Sequence, residues 1–223
     1  MNVFSAGRIP RTALALFLLT AAFSSSAQPG GSAITPTRKI QLFNGKDFSG
    51  WTFVSRDTNR PAASIWSVTH DVIVCQGKPN GYARTLQAYR DYRLRVEWRF
   101  AAGAGNSGVF LHIHPPDKVW PYCFEAQLLC GDAGEIRCNG GSKANGTTAE
   151  HPNFIPRRQP SSEEPVGEWN SYDIICRSNT ITVRVNGVLQ NEVTGTSAGS
   201  GCIGLQAEGK LVEFRNLELE PLP

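Results

Sequence analysis

Acids, imidazoles and amides recur at alternate positions in four short apolar runs. In residues 92–101, Arg95, Glu97 and Arg99 alternate with Leu94, Val96 and Trp98, and in 108–114, Phe110, His112 and His114 alternate with Val109, Leu111 and Ile113. In 123–129, Glu125 and Gln127 alternate with Phe124, Ala126 and Leu128, and in 201–208, Gly204 and Gln206 alternate with Ile203 and Leu205. Extended backbone turns successive side chains to opposite faces. If these strands are neighbours, one sheet face presents Glu97, His112, His114, Glu125, Gln127 and Gln206 together. A merely solvated face is expected to carry Lys, and these runs carry none. Carboxylates and imidazoles move protons near neutral pH, and amides pair with hydroxyls, so the set points to a site for a hydroxylated ligand. Trp120 lies beside Tyr122 in the Pro-rich, stiff loop 115–121. It offers a face on which the apolar C–H side of a sugar ring can stack, whereas Trp51, Trp66, Trp98 and Trp169 read as core or edge aromatics.

The elements that must position these residues are strands. Alternating runs cover 66–76, 92–101, 108–114, 123–129, 171–176, 180–185, 201–208 and 211–219,. Asn186-Gly187, between Val185 and Val188, is a strong hairpin signal, and Glu208-Gly209 is a weaker one,. No helical period is sustained after the N-terminal segment and no βαβ rhythm occurs, so the expected architecture is all-β, two antiparallel sheets stacked as a sandwich or jelly roll. Residues 139–164 break the rhythm with Gly, Ser, Asn and Pro, and a connection of that length is usually functional or mobile.

Composition removes several classes. The 223 residues are 40% hydrophobic and 18% charged, with Gly 22 and Pro 14 and a formal charge of +3. A buried core is affordable in surface terms, collagen and disorder are excluded, and the dispersed Lys and Arg argue against a nucleic-acid surface. Arg8 and Arg11 precede an apolar stretch, Ala13–Phe23, and small residues from Ser24 to Ala27. That pattern is a secretory signal peptide over residues 1–27, and the apolar run is shorter than the ~20 residues of a membrane span. The mature chain is therefore expected to be secreted or periplasmic without stable membrane insertion. It would begin with a flexible lead-in over 28–39, followed by one domain over 40–221. The six cysteines lack the paired spacing of a zinc site,. In an oxidising compartment at least one disulfide is expected to involve Cys123, Cys130 or Cys138.

A family resemblance emerges from the motifs in series. They are Leu42-Phe43-Asn44-Gly45-Lys46-Asp47-Phe48-Ser49-Gly50-Trp51, Trp66-Ser67-Val68, Asp91-Tyr92-Arg93-Leu94 with Glu97-Trp98, and Gly105-Asn106-Ser107-Gly108-Val109-Phe110-Leu111. Glu125-Ala126-Gln127-Leu128, Gly167-Glu168-Trp169-Asn170, Val185-Asn186-Gly187, Gly204-Leu205-Gln206 and Glu213-Phe214-Arg215-Asn216 continue them. From Gln41 to Leu219 the chain resembles the 3-keto-disaccharide hydrolase domain family, which implies a concanavalin A-like jelly roll. It also implies an exported protein acting on sugars whose C3 hydroxyl has been oxidised to a ketone. Glu97, Asn106, Ser107, Glu125, Gln127 and Gln206 match recurring family positions. His112 departs from the Arg often found there, and the segment Cys130–Cys138 is atypical.

The resemblance implies a mechanism. A C3 ketone acidifies the C2 proton, a base removes it, the C1 aglycone leaves, and water adds to the enone, so that hydrolysis proceeds by elimination. Glu125 or His112 is then the base, and Glu97 aids the leaving group. Asn106, Gln127 and Arg137 support the oxyanion or orient hydroxyls, and Ser107, Trp120 and Gln206 complete the binding surface. His112, His114 and Glu125 have the ligand chemistry of a divalent ion such as Zn, Mn or Ni, although a His-x-His strand equally reads as polar lining. Two rivals stand beside this expectation. A non-catalytic carbohydrate-binding jelly roll needs the amides and Trp120 but no base. An ordinary β-glucanase would show acids spaced as Glu-x-Asp-x-x-Glu, and no such triplet occurs.

Overall fold

The computed structural model describes Met1 and residues 32–222, so the expected leader lies, apart from Met1, outside the described residues. In chain order the strands are β1 (Ile40–Gln41), β2 (Trp51–Ser55), β3 (Trp66–Thr69), β4 (Val72–Cys75), β5 (Gly81–Thr85), β6 (Tyr89–Arg90), β7 (Tyr92–Arg99) and β8 (Gly108–His114). They continue with β9 (Tyr122–Gln127), β10 (Ile136–Asn139), β11 (Phe154–Ile155), β12 (Asn170–Arg177), β13 (Thr180–Val185), β14 (Val188–Val193), β15 (Ser200–Ala207) and β16 (Val212–Pro221). The first sheet has the order β14-β13-β12-β7-β16-β4-β3, with β1 on β16. The second has the order β11-β10-β9-β8-β15-β5-β2, with β6 on β15. All these strand pairs are antiparallel, as in the expected sandwich, and the one helical turn among the described residues is 3-10, at Ala62–Ser64.

The inward faces follow the alternation. Leu94, Val96 and Trp98 of β7 and Tyr172 and Ile174 of β12 meet Val109, Leu111, Phe124, Ala126, Ile203 and Leu205 of the second sheet in one buried cluster. Trp98 packs on Tyr172 with ring centroids 4.6 Å apart. Asn186 and Gly187 close the β13–β14 hairpin with φ of 48° and 83°, the mirror-image turn that matches strand twist. A Cβ at Gly187 meets no atom within 4 Å, so Gly187→Ala carries only the left-handed backbone penalty. Urea unfolding is expected to show a loss of about 1 kcal/mol.

Three expectations need correction and a fourth, that residues 139–164 are functional or mobile, is narrowed. The run 66–76 is two strands, because His70 and Asp71 take φ of 50° and 61° and turn the chain back between β3 and β4 without a glycine to announce it. The lead-in is not free over its described part, since Ile34 bridges Tyr89 and its N–H donates to the Ala88 carbonyl at 2.9 Å. Residues 139–164 are tied down across the sheets. Ser142 Oγ donates to the Cys123 carbonyl at 2.7 Å, and Asn145 Nδ2 donates to Thr194 Oγ1 at 3.1 Å. All six cysteines are free thiols. Cys123 pairs opposite Asn139 and Cys138 opposite Phe124, so adjacent pleats send their sulfurs to opposite faces, and Cys130 sits half-buried in the loop beyond.

The local departure that matters most to the site is a bulge in β8. Its registers with β9 and β15 shift near His112, which has φ 55°. Such an irregularity inserts an unpaired residue and breaks the period of two. Leu111 and His112 therefore both point inward. The His112 ring lies edge-on to Tyr92 and Phe124, at 5.9 and 6.4 Å. Ile113 turns outward instead, into a second apolar cluster with Tyr82, Phe110, Cys123 and Cys202.

Candidate active site

The outer face of the second sheet holds a cavity of about 300 Å³ whose floor is β8, β9, β10 and β15. Glu125, in the middle of β9, stands opposite Phe110 on one side and Arg137 on the other, and Gln127 stands opposite Gly108. The glycine is a steric requirement. A Cβ at position 108 would fall 2.4 Å from Glu125 Oε1, so the carboxylate lies where a side chain would otherwise be.

Glu125 is 2% exposed and accepts a hydrogen bond from Asn139 Nδ2 at 2.7 Å. Burial pushes its pKa up to about 7, against the opposing pulls of the Asn139 hydrogen bond and the Arg137 charge. A carboxyl so placed changes its proton at neutral pH, as a general base must. Glu208, joined to Asn106 by an isolated bridge, lines the same cavity half-buried, and burial raises its pKa against the pull of Arg137. Gln127 spends its Oε1 on the N–H groups of Leu128 and Leu129, at 2.9 and 3.1 Å, which leaves its NH2. The buried Asn106 Oδ1, Gln206 Oε1 and Arg137 Nε have no hydrogen-bond partner. Unsatisfied buried polar atoms are rare and call for an explanation; polar groups of a bound ligand would supply one.

Glu125, Gln127, Asn106, Arg137, Gln206 and Trp120 thus share one cavity. The other expected residues lie elsewhere. Glu97 has the outward orientation expected of it, but β7 belongs to the first sheet, and its carboxylate accepts from Arg215 Nε at 2.6 Å and Asn216 Nδ2 at 2.8 Å. A groove of about 300 Å³ runs past it on that sheet. The charges there are spent on one another, as in the Arg93–Asp173 pair at 2.5 Å.

His112 faces the core, its Nδ1–H donating to the Ala198 carbonyl at 3.0 Å, and burial pushes its pKa down to about 4. Ser107 is fully buried, and its hydroxyl donates to the Gln206 carbonyl at 2.7 Å, so it ties β8 to β15 rather than lining the cavity. His114 Nε2 donates to the Ser200 carbonyl at 2.8 Å on the far side of Trp120. His112, His114 and Glu125 therefore do not converge as metal ligands, and no other group of three or more such residues does among the described residues. Asn139 and Glu208 escaped the sequence reading, although the same alternation reaches both, from Arg137 to Asn139 and from Gln206 to Glu208.

The rim loop 115–121 is pinned to the sheet. Arg84, whose side chain is 6% exposed, grips Asp117 with Nε at 2.9 Å and a terminal nitrogen at 2.7 Å, and the Tyr82 hydroxyl donates to the same carboxylate at 3.0 Å. This anchorage sets the height at which Trp120, 38% exposed, borders the cavity.

Comparison with known proteins agrees with this architecture. A glycosyl hydrolase fold from Parabacteroides distasonis superposes with a TM-score of 0.62 at 21% identity, covering 83% of this chain and 94% of that one. A Bacillus licheniformis β-glucanase superposes at 0.55 and 14% identity, covering 83% and 99%. A carbohydrate-binding module from Bacillus subtilis superposes at 0.57 and 11%, covering 81% and 99%. These show the concanavalin A-like jelly roll, and because one is a glucanase and another a binding module, the fold by itself does not choose between catalysis and binding. In sequence, a 3-keto-disaccharide hydrolase of Bacteroides thetaiotaomicron is 25% identical over 160 residues, 64% of this chain and 53% of that protein, so the chain spans about half the length of its curated relative. Residues 38–220 match the family described as the 3-keto-alpha-glucoside-1,2-lyase-like domain, and the chain belongs to that family.

Proposed function

We propose that the protein is a carbohydrate-acting enzyme that cleaves 3-keto-glycosides by elimination and hydration, with Glu125 as the base. The observation that carries this reading is a carboxyl buried to 2% exposure, held at about 7, beside amides of which two, Asn106 and Gln206, have side-chain oxygens without a partner. In the first step the C2–H bond breaks and its proton passes to Glu125. The electron pair forms the C1=C2 double bond, and the C1–O bond breaks with its electrons going to the aglycone oxygen. As the C2 proton leaves, charge develops on the C3 oxygen, and Arg137, the cross-strand partner of Glu125, supplies a positive group to stabilise it,. The departing oxygen takes up a proton from water, and Glu208, which lines the same cavity, is placed to relay it. Water then adds across C1=C2, hydroxyl to C1 and hydrogen to C2. The result is hydrolysis with no change of oxidation state.

The name of the Bacteroides relative points the same way. A binding module would use Trp120 and the amides but would have no use for a buried carboxyl, whose desolvation costs stability. Export is supported by the tripartite pattern of residues 1–27.

Solvent isotope labelling tests the route. In D2O, the sugar released from a 3-keto-glycoside is expected to carry deuterium at C2. A product with protium retained at C2 would mean direct hydrolysis, and absence of turnover would leave the binding module.

A further inference from the structure

A larger cavity, about 560 Å³, opens on the far side of Trp120. Trp120 is the residue common to both linings, and Asn139 of the acid cavity adjoins Gly140 of this one. The two are consecutive compartments of one cleft, divided by an exposed indole.

We propose that this second compartment receives the leaving group, and that it suits a planar aromatic aglycone bearing an anionic substituent. The inference rests on the elimination reading for the identity of the sugar half, while the chemistry of the compartment is argued from its own walls. Pro115, Pro116, Trp120 and Tyr122 supply flat apolar surface. Most of the other polar side-chain atoms are already engaged, the Trp120 indole N–H and His114 Nδ1 excepted. The Tyr122 and Ser197 hydroxyls bond each other at 2.5 Å, Ser197 Oγ also accepts from the Lys143 N–H at 2.8 Å, and His114 Nε2 is spent on Ser200. A second sugar, which needs several hydrogen bonds around its ring, finds few groups free. Lys118 remains, with no hydrogen bond or ion pair to any described residue, and the lining contains no Asp or Glu. An aromatic ring stacked on Trp120 with a carboxylate toward Lys118 satisfies both the apolar walls and the lone cation.

The test has an arm that needs no turnover. Free 4-hydroxybenzoate, the leaving group of a 4-carboxyphenyl glycoside, is titrated calorimetrically into the full-length protein. A Kd on the order of 1 mM is expected, with roughly tenfold weakening in Lys118→Ala, partial rescue in Lys118→Arg and no binding of free glucose at the same concentrations. In the turnover arm, kcat/KM for 4-carboxyphenyl 3-keto-glucoside relative to methyl 3-keto-glucoside should fall about tenfold in Lys118→Ala. Equal affinity of wild type and Lys118→Ala for 4-hydroxybenzoate overturns the inference. So does an unchanged substrate ratio, or a 3-keto-disaccharide preferred over the aryl substrate. Wild type that binds 4-hydroxybenzoate through Lys118 yet turns over no 3-keto substrate sinks the elimination reading and leaves the compartment assigned.

Discussion

Glu125→Gln is expected to lower turnover of a 3-keto-glycoside by ~10²-fold or more, the usual scale for a general base, while making the protein more stable at neutral and alkaline pH. Gln keeps the shape and an oxygen able to accept from Asn139, so the cavity persists without its base. The stability gain follows from linkage. The Glu125 pKa rises on folding from 4.5 to about 7, so between those values the folded chain holds the proton more tightly than the unfolded chain. Stability of the wild type therefore falls as pH rises through that window. Below 4.5 the carboxyl contributes nothing either way, and above 7 the whole penalty is present, at most about 3 kcal/mol. Urea unfolding should show little advantage for the variant at pH 4 and its full advantage at pH 8. Wild-type kcat/KM should climb through pH about 7 as the carboxyl ionises. Glu97→Gln, on the other sheet, is the control and should retain turnover within about twofold, since exposed ion pairs are worth little. The opposite pattern, with Glu125→Gln active and Glu97→Gln dead, would move the site to the first sheet.

Asp117→Asn is expected to have the largest effect of any rim substitution. Arg84 is 6% exposed and gives Asp117 two hydrogen bonds. Removing one charge of a buried pair strands the other. Because the Asp117 side chain is 37% exposed, water relieves part of the penalty, and a loss of about 2–3 kcal/mol is expected rather than the full cost of a wholly buried pair. The pH dependence has the opposite sign to that of Glu125. Arg84 holds the Asp117 carboxyl below its ordinary value, so the pair stabilises the fold above the unfolded pKa and the contribution is lost as pH falls through the folded one. Asp117→Asn should therefore flatten the acid limb of the stability curve. With the anchor weakened, amide exchange should quicken across residues 115–121, and KM should rise more than kcat falls, because Glu125 is untouched. Unchanged exchange in that loop would mean that the prolines alone hold it.

Alternation reached Glu125, Gln127 and Gln206 because β9 and β15 keep a period of two where these residues stand. It misplaced His112 because one residue with φ 55° resets the count, and nothing in Phe-Leu-His-Ile-His marks that position as different. Glu97 failed for another reason. Alternation assigns a face within a strand but not the sheet to which the strand belongs, and β7 finds its partners in β12 and β16, distant in sequence. The hairpin at His70-Asp71 passed unseen because two non-glycine residues adopted the left-handed turn that Asn186-Gly187 announces openly. The disulfide expectation rested on closeness in sequence and an oxidising compartment. Pairing depends on which pleat each sulfur occupies, and spacing carries no such information.

The β8 bulge has a consequence for how the cleft can change. On its N-terminal side, Gly108 and Phe110 sit in register beside Gln127 and Glu125; beyond it, His114 pairs with Tyr122 at the start of the rim. The unpaired His112 acts as slack between two registers. A one-residue insertion or deletion in the rim can be absorbed there and need not propagate along the strand to tilt the carboxylate. The compartment that meets the variable half of a substrate is thus uncoupled, over the width of one residue, from the floor where the proton is taken.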